Sequence, residues 1–183
     1  MKASEYLYQH ADKYKIDKNR IALIGFSAGG YLACLTGLSN NNNIAAFYPA
    51  GKTIHFKIKC VLDFYGPSDF LMLANNPDTS VNNLCNPVAI LLGALAVDRP
   101  DLAKTASPVS YVDKNDPSFF IVQGEKDESV PNTQSKILSA WLTLVGVPNE
   151  FTMVPGAPHY GEVFDADSIR KRLFSFLAIH LRR

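Results

Sequence analysis

The sequence predicts an α/β chain, a mostly parallel sheet with helices on both faces. Three observations lead there. Short, continuous apolar runs bounded by turn residues recur along the 183 residues, the pattern of strands buried on both faces. Between them lie amphipathic segments or connections long enough for the crossovers that parallel strands need. No internal repeat or linker divides the chain, so a single domain is expected.

The elements follow in order. Residues 2–15 place Tyr6, Leu7, His10, Ala11 and Tyr14 at helical spacing, with Ser4 as candidate N-cap. Arg20 to Gly25 (R-I-A-L-I-G) is the first buried strand, and Ala28 to Leu38 follows with Tyr31, Leu32, Leu35 and Leu38 on one helical face. The asparagines 40–43 are expected as loop, and residues 44–58 show no clear pattern. Lys59 to Tyr65 is the second strand, stopped by Gly66-Pro67. Ser68 to Asn76 reads as a short helix capped by Ser68, with Asp69 in its first turn. Residues 77–87 are polar loop, 88–97 apolar and helical, and 101–106 a short turn or helix leading into Pro108; residues 68–110 are expected as a small cap insertion. Ser118 to Gln123 is the third strand, and Asn132 to Val145 an amphipathic helix ended by Gly146 with Pro148 beyond. Glu150 to Val154 is the fourth strand. Phe164 to Leu181 closes the chain as a helix, apolar at Ile169, Leu173, Phe176, Leu177 and Ile179.

Composition narrows the function classes. A net charge of +1 supplies no electrostatic footprint for nucleic acid or an anionic membrane, and a neutral small-molecule substrate fits better. No apolar run approaches the ~18–20 residues of a membrane span. Residues 1–10 hold no apolar core of a signal peptide, so the chain as it stands reads as cytoplasmic, with a secreted or periplasmic longer parent left open. Cys34, Cys60 and Cys85 are odd in number and widely spaced, which suits packed or near-surface thiols rather than a zinc site or a disulfide framework.

The chemistry-bearing residues stand after the strands. Gly25-Phe26-Ser27-Ala28-Gly29 is G-x-S-x-G between a strand and a helix. A nucleophilic serine needs such a sharp turn to push its hydroxyl out of the sheet edge, with the flanking glycines relieving crowding, and Ala28 then aims its N–H at a developing oxyanion. The serine needs a base and the base an orienting carboxylate. Asp127 and Glu125 both lie in reach after the third strand, and His159 follows the fourth in P-G-A-P-H-Y-G. His10, His55 and His180 follow no strand and read as surface or packing residues.

On these residues the chain resembles bacterial acetyl-, xylan- and feruloyl-type esterases of the α/β-hydrolase superfamily. The likeness rests on I-A-L-I-G-F-S-A-G-G-Y-L-A-C-L-T-G-L over 21–38, A-S-P-V-S-Y-V over 106–112, Gly124-x-x-Asp127-x-x-Val130-Pro131, and Gly156-x-x-His159. It implies the carboxyl-terminal half of that fold and a triad of Ser27, Asp127 and His159. It further implies hydrolysis of small acyl esters on carbohydrate-type substrates, with no metal or organic cofactor. Tyr65 and Tyr160 are expected either to line the pocket or to pack beside it.

Three departures stand out. The family's H-G-G-G-type loop, which supplies a second oxyanion donor, has no counterpart here, and such a loss costs about 10²–10³ in rate. The strand that would flank 21–24 is not found either, so Ile21 to Ile24 is expected as an open apolar edge. Two expectations follow: a fragment or misassigned start of a longer enzyme, or a homo-oligomer covering that edge. Finally, Gln123 replaces the histidine that usually opens the acid turn, a change expected to leave the triad assignment alone. An oligopeptidase-type serine peptidase and an inactive binding remnant of the fold are the rival readings.

Overall fold

The computed structural model describes residues 2–41, 44, 47, 56–75 and 84–182. Among these residues four parallel strands lie in the order of the chain: β1 (Ile21–Phe26), β2 (Ile58–Phe64), β3 (Ser118–Gly124) and β4 (Asn149–Val154). Every β connection is a crossover, with α3 (Ala28–Asn41) and α7 (Thr133–Leu144) the longer helices in them, and α8 (Asp167–His180) follows β4.

Strand side chains alternate between faces, and this builds two cores. Cys60, Leu62 and Phe64 of β2 and Phe120 and Val122 of β3 pack against Ile169 and Phe176 of α8. Val61, Phe119 and Ile121 face the other way, onto Ala33, Cys34 and Leu38 of α3 and Leu138 and Leu142 of α7. The expected sheet with helices on both faces is therefore present. Helices α4 (Phe70–Ala74), α5 (Pro87–Leu92) and α6 (Pro100–Ala106) make a smaller cluster on Tyr31 and Leu35 of α3.

Five local expectations are corrected. The leading helix divides at His10 (φ −105°, ψ 23°) into α1 (Lys2–Gln9) and α2 (Ala11–Tyr14). Asn40 and Asn41 belong to α3 rather than to a loop, because their side chains have better partners than water: Asn40 bonds the Phe56 carbonyl, and Asn41 both the N–H and the carbonyl of Ile58. Asp69, not Ser68, caps α4, accepting from Leu71 and Met72 N–H. Ser68 is drawn instead to Gln134, giving its hydroxyl to the Gln134 carbonyl and its N–H to Oε1. Helix α5 stops at Leu92, where Gly93 takes φ 71°. Phe164 lies in a 3₁₀ turn (Glu162–Asp165) ahead of α8. His55, Asn76 and most of the 77–87 loop lie outside the described residues.

Candidate active site

The strand ends bring the candidates together. Ser27 follows β1 at φ 52°, in the left-handed region that costs a non-glycine residue of order 1–3 kcal/mol. The turn is over-determined by its surroundings. Ser27 N–H continues the ladder onto the Phe64 carbonyl at 2.8 Å, and the Ser27 carbonyl accepts from Tyr31 N–H. A Cβ at Gly25 would lie 2.0 Å from the Gly29 carbonyl oxygen, so that position tolerates only glycine. The expectation that both flanking glycines relieve crowding is half right: around Gly29 there is open space, and the second crowded glycine is Gly30. Ala28 opens α3, and the first N–H groups of a helix have no partner within it.

The acid and histidine turns are tied more densely. Asp127 Oδ1 accepts from Ser129 and Val130 N–H, and Oδ2 from Gln123 Nε2 at 2.8 Å. The same Oδ2 lies 2.7 Å from His159 Nδ1, and His159 Nε2 lies 2.8 Å from Ser27 Oγ. The geometry also separates the two acidic candidates: Glu125 turns away and accepts Gly156 N–H on Oε2 at 2.7 Å. That bond, with Lys126 N–H to the Ala157 carbonyl, pins the histidine turn to the acid turn. The Asp127 carboxylate is fully enclosed, while the imidazole keeps 14% of its surface open.

Tyr65 follows β2 with φ 49°, a second left-handed turn level with Ser27, and its N–H donates to the Val122 carbonyl. Its buried ring meets the His159 ring edge-on at 4.9 Å and packs on Phe164 at 4.7 Å, so it forms the floor under the imidazole. Burial, with the charges of Asp127 and Asp165, pushes its phenol upward. Tyr160 is 73% exposed and stands beside the imidazole on the solvent side. Of the other histidines, His10 stacks on Tyr6 and His180 packs on Phe176, where burial lowers its pKa.

Two participants carry no motif. Gln123, expected only to leave the triad assignment alone, uses its amide to hold the very oxygen of Asp127 that faces His159, while its own carbonyl accepts from Ser135 Oγ at 2.8 Å. The available signal is its place at the end of a buried strand, where a polar side chain needs a partner. Asp63, near the end of β2, is fully buried behind the serine turn, and burial raises its pKa to about 7. Two surface clefts, one around Ser110 to Asp113 and one between α1 and β1, are not lined by Ser27, Asp127 or His159. Among the described residues no group of three His, Cys, Asp or Glu side chains is arranged to hold a metal ion, and no helix is long and apolar enough to cross a membrane. Cys34 and Cys60 are buried and Cys85 is exposed.

Comparison with known proteins agrees with this architecture. Esterase LipQ of Mycobacterium tuberculosis is 32% identical over 174 residues, 94% of this chain and 39% of LipQ. The truncated form of a carbohydrate esterase from gut microbiota superposes with a TM-score of 0.84 at 28% identity, over 99% of this chain and 66% of that one. A bifunctional GH43-CE protein of Bacteroides eggerthii gives 0.82 at 31% identity, over 97% of this chain and 24% of its own. The chain thus spans about 39% or less of the length of its curated relatives, which are carboxylic ester hydrolases. Residues 1–142 match BD-FAE, and the chain belongs to this family of α/β-hydrolase esterases.

Proposed function

We propose that the chain hydrolyses carboxylic esters of small acyl groups on carbohydrate-type substrates, through an acyl-enzyme on Ser27. The observation that carries this reading is the unbroken line from Asp127 Oδ2 to His159 Nδ1 (2.7 Å) and from His159 Nε2 to Ser27 Oγ (2.8 Å). His159 Nε2 takes the hydroxyl proton as Ser27 Oγ attacks the ester carbonyl carbon. Asp127 holds the tautomer with the proton on Nδ1 and stabilises the imidazolium. The Ala28 N–H receives the oxyanion. Collapse breaks the ester C–O bond, Nε2 protonates the departing alcohol, and water repeats the sequence to release the acid. Exposed Tyr160 contacts the bound ester. The carbohydrate setting is supported by the two structural relatives named as carbohydrate esterase and GH43-CE.

The open edge of β1 supports a second element of the proposal: in solution a second copy of the chain covers Ile21–Ile24. Sedimentation as a stable monomer at assay concentration would remove it. The reaction itself is tested with p-nitrophenyl acetate on the chain and on Ser27→Ala. Turnover that falls by about 10³-fold or more in the variant is the expected result. Equal rates in both would leave the fold without the activity and favour a binding role.

A further inference from the structure

Among the described residues, Asp63 is the one fully buried acidic side chain near the site that the hydrolytic steps leave unused. It sits between the two strained turns. Its Oδ1 accepts the Gly66 N–H at 3.0 Å, directly after Tyr65 at φ 49°. The same oxygen is wedged against the first turn of α3: a Cβ on Gly30 would come within 2.3 Å of it, and one on Gly66 within 2.6 Å. A Cβ on Gly66 would also meet Tyr31 N at 2.6 Å, so the two turns touch at this carboxyl. The α3 turn carries Ser27 and Ala28. The other carries Tyr65, the floor of the His159 imidazole. One carboxyl therefore joins the supports of the serine and the histidine.

Its protonation state follows from the same surroundings. Oδ2 is buried and has no hydrogen-bond partner among the described residues. Among the described residues no cation acts on the group. The titratable side chain that faces it is the Cys34 thiol of α3, itself held well above the ordinary thiol range by burial and by Asp63. From β1, β3 and the Gly66 turn, the positions beside it are Gly25, Ile121 and Gly66, none of them titratable. The Gly66 N–H and the Cys34 thiol favour the carboxylate, but burial, the larger influence, opposes it and favours the protonated form.

We propose that Asp63 is a positioning residue for the Ser27–His159 pair, clasping the two turns as a neutral carboxylic acid and loosening them when it ionises. The proposal rests on the esterase reading above. It adds an alkaline limit that no member of the triad supplies. The buried site places that limit near neutrality, in the direction of the raised value of about 7.

The test compares the chain with Asp63→Asn, which keeps an acceptor for Gly66 N–H and cannot ionise. A fluorophosphonate probe reports Ser27 reactivity as a rate, with Ser27→Ala as the blank. The expected wild-type rate falls between about pH 6.5 and pH 8.5, whereas the Asp63→Asn rate holds or rises, so that the two ratios differ by about threefold or more. Coincident profiles in two labelling proteins overturn the Asp63 role and leave the esterase reading intact. No Ser27-dependent labelling of the wild type at any pH sinks the esterase reading, and the positioning role with it. Should Asp63→Asn not fold, carbon NMR of the wild-type aspartate carboxyls decides: one carboxyl titrating near neutrality together with the loss of labelling supports the proposal, and titration of every carboxyl below about pH 5 overturns it.

Discussion

Strands β1 and β3 carry the two ends of the candidate relay and are built to opposite standards. In β3 every residue from Phe119 to Gly124 is buried. In β1 only Gly25 is, while Ile24 and Phe26 are 55% and 50% exposed at the sheet edge. The acid and histidine turns beyond β3 and β4 are held by a mesh of side-chain and backbone bonds around Asp127, Gln123 and Glu125. Among the described residues the serine turn has its two backbone bonds, Ser27 N–H to the Phe64 carbonyl and Tyr31 N–H to the Ser27 carbonyl, but no such side-chain mesh. It is held by close contact, with glycines where backbones meet and Asp63 packed behind them. One end of the site is thus fixed by polar satisfaction and the other by steric exclusion, and the two should fail differently.

Steric exclusion predicts the largest loss. Gly25→Ala forces a Cβ to 2.0 Å from a backbone oxygen and is expected to cost about 3 kcal/mol or more, as overpacking against backbone does, with loss of Ser27 labelling. Gly29→Ala, four residues on in the open first turn of α3, gains helix propensity of about 1 kcal/mol at most and keeps its fold. Chemical melts of the pair would break the comparison if both behaved alike.

The buried acid behind that turn gives a pH signature. The folded value of Asp63 is raised from 3.8 to about 7, so the folded state holds its proton where the unfolded state has lost it. The contribution is full below the unfolded value and declines as pH rises from 3.8 to about 7. Denaturation midpoints measured across that window should show this decline in the wild type and lack it in Asp63→Asn.

On the polar side the expected effects are smaller. Gln123→Leu strips a donor from Asp127 Oδ2 and leaves the Val130 carbonyl and Ser135 hydroxyl without their partner, at about 1–3 kcal/mol. Because the bond lost is to the oxygen facing His159, kcat should fall while KM stays near its wild-type value. The smallest effect belongs to the edge: Ile24→Lys, on an already exposed side chain, should shift stability by no more than about 0.5 kcal/mol. It should nonetheless abolish any self-association through β1, read by sedimentation.

The same contrast explains what is legible in the sequence. The strands are legible because burial on both faces writes continuous apolar runs, and the serine, acid and histidine turns because each follows such a run. The choice of Asp127 over Glu125 is not legible in the spacing alone, since two carboxylates two residues apart on one turn differ only in which way the backbone aims them; it came from the resemblance of Gly124-x-x-Asp127-x-x-Val130-Pro131 to the acid turn of the esterases. Neither is Gln123, whose importance lies in a bond to a residue across a turn, nor Asp63, which looks like any polar residue inside a strand. Asn40 and Asn41 mislead because composition reads them as solvated, whereas their amides bond to the approach to β2; Asn42 and Asn43 lie outside the described residues. Ser68 misleads as a cap because Gln134, 66 residues away, is its stronger partner.

The sheet order β1-β2-β3-β4 repeats the order of the chain, and this bears on how the protein comes into being during synthesis. No strand has to insert between two that are already paired, so each new strand adds to the rim left by the one before. Growth from the amino end lays down the serine turn first and the histidine last, the two side chains that must meet being 132 positions apart. A nascent chain therefore displays the Ser27 hydroxyl long before His159 can stand beside it, and the proton transfer proposed above has to wait until β4 and the turn after it dock.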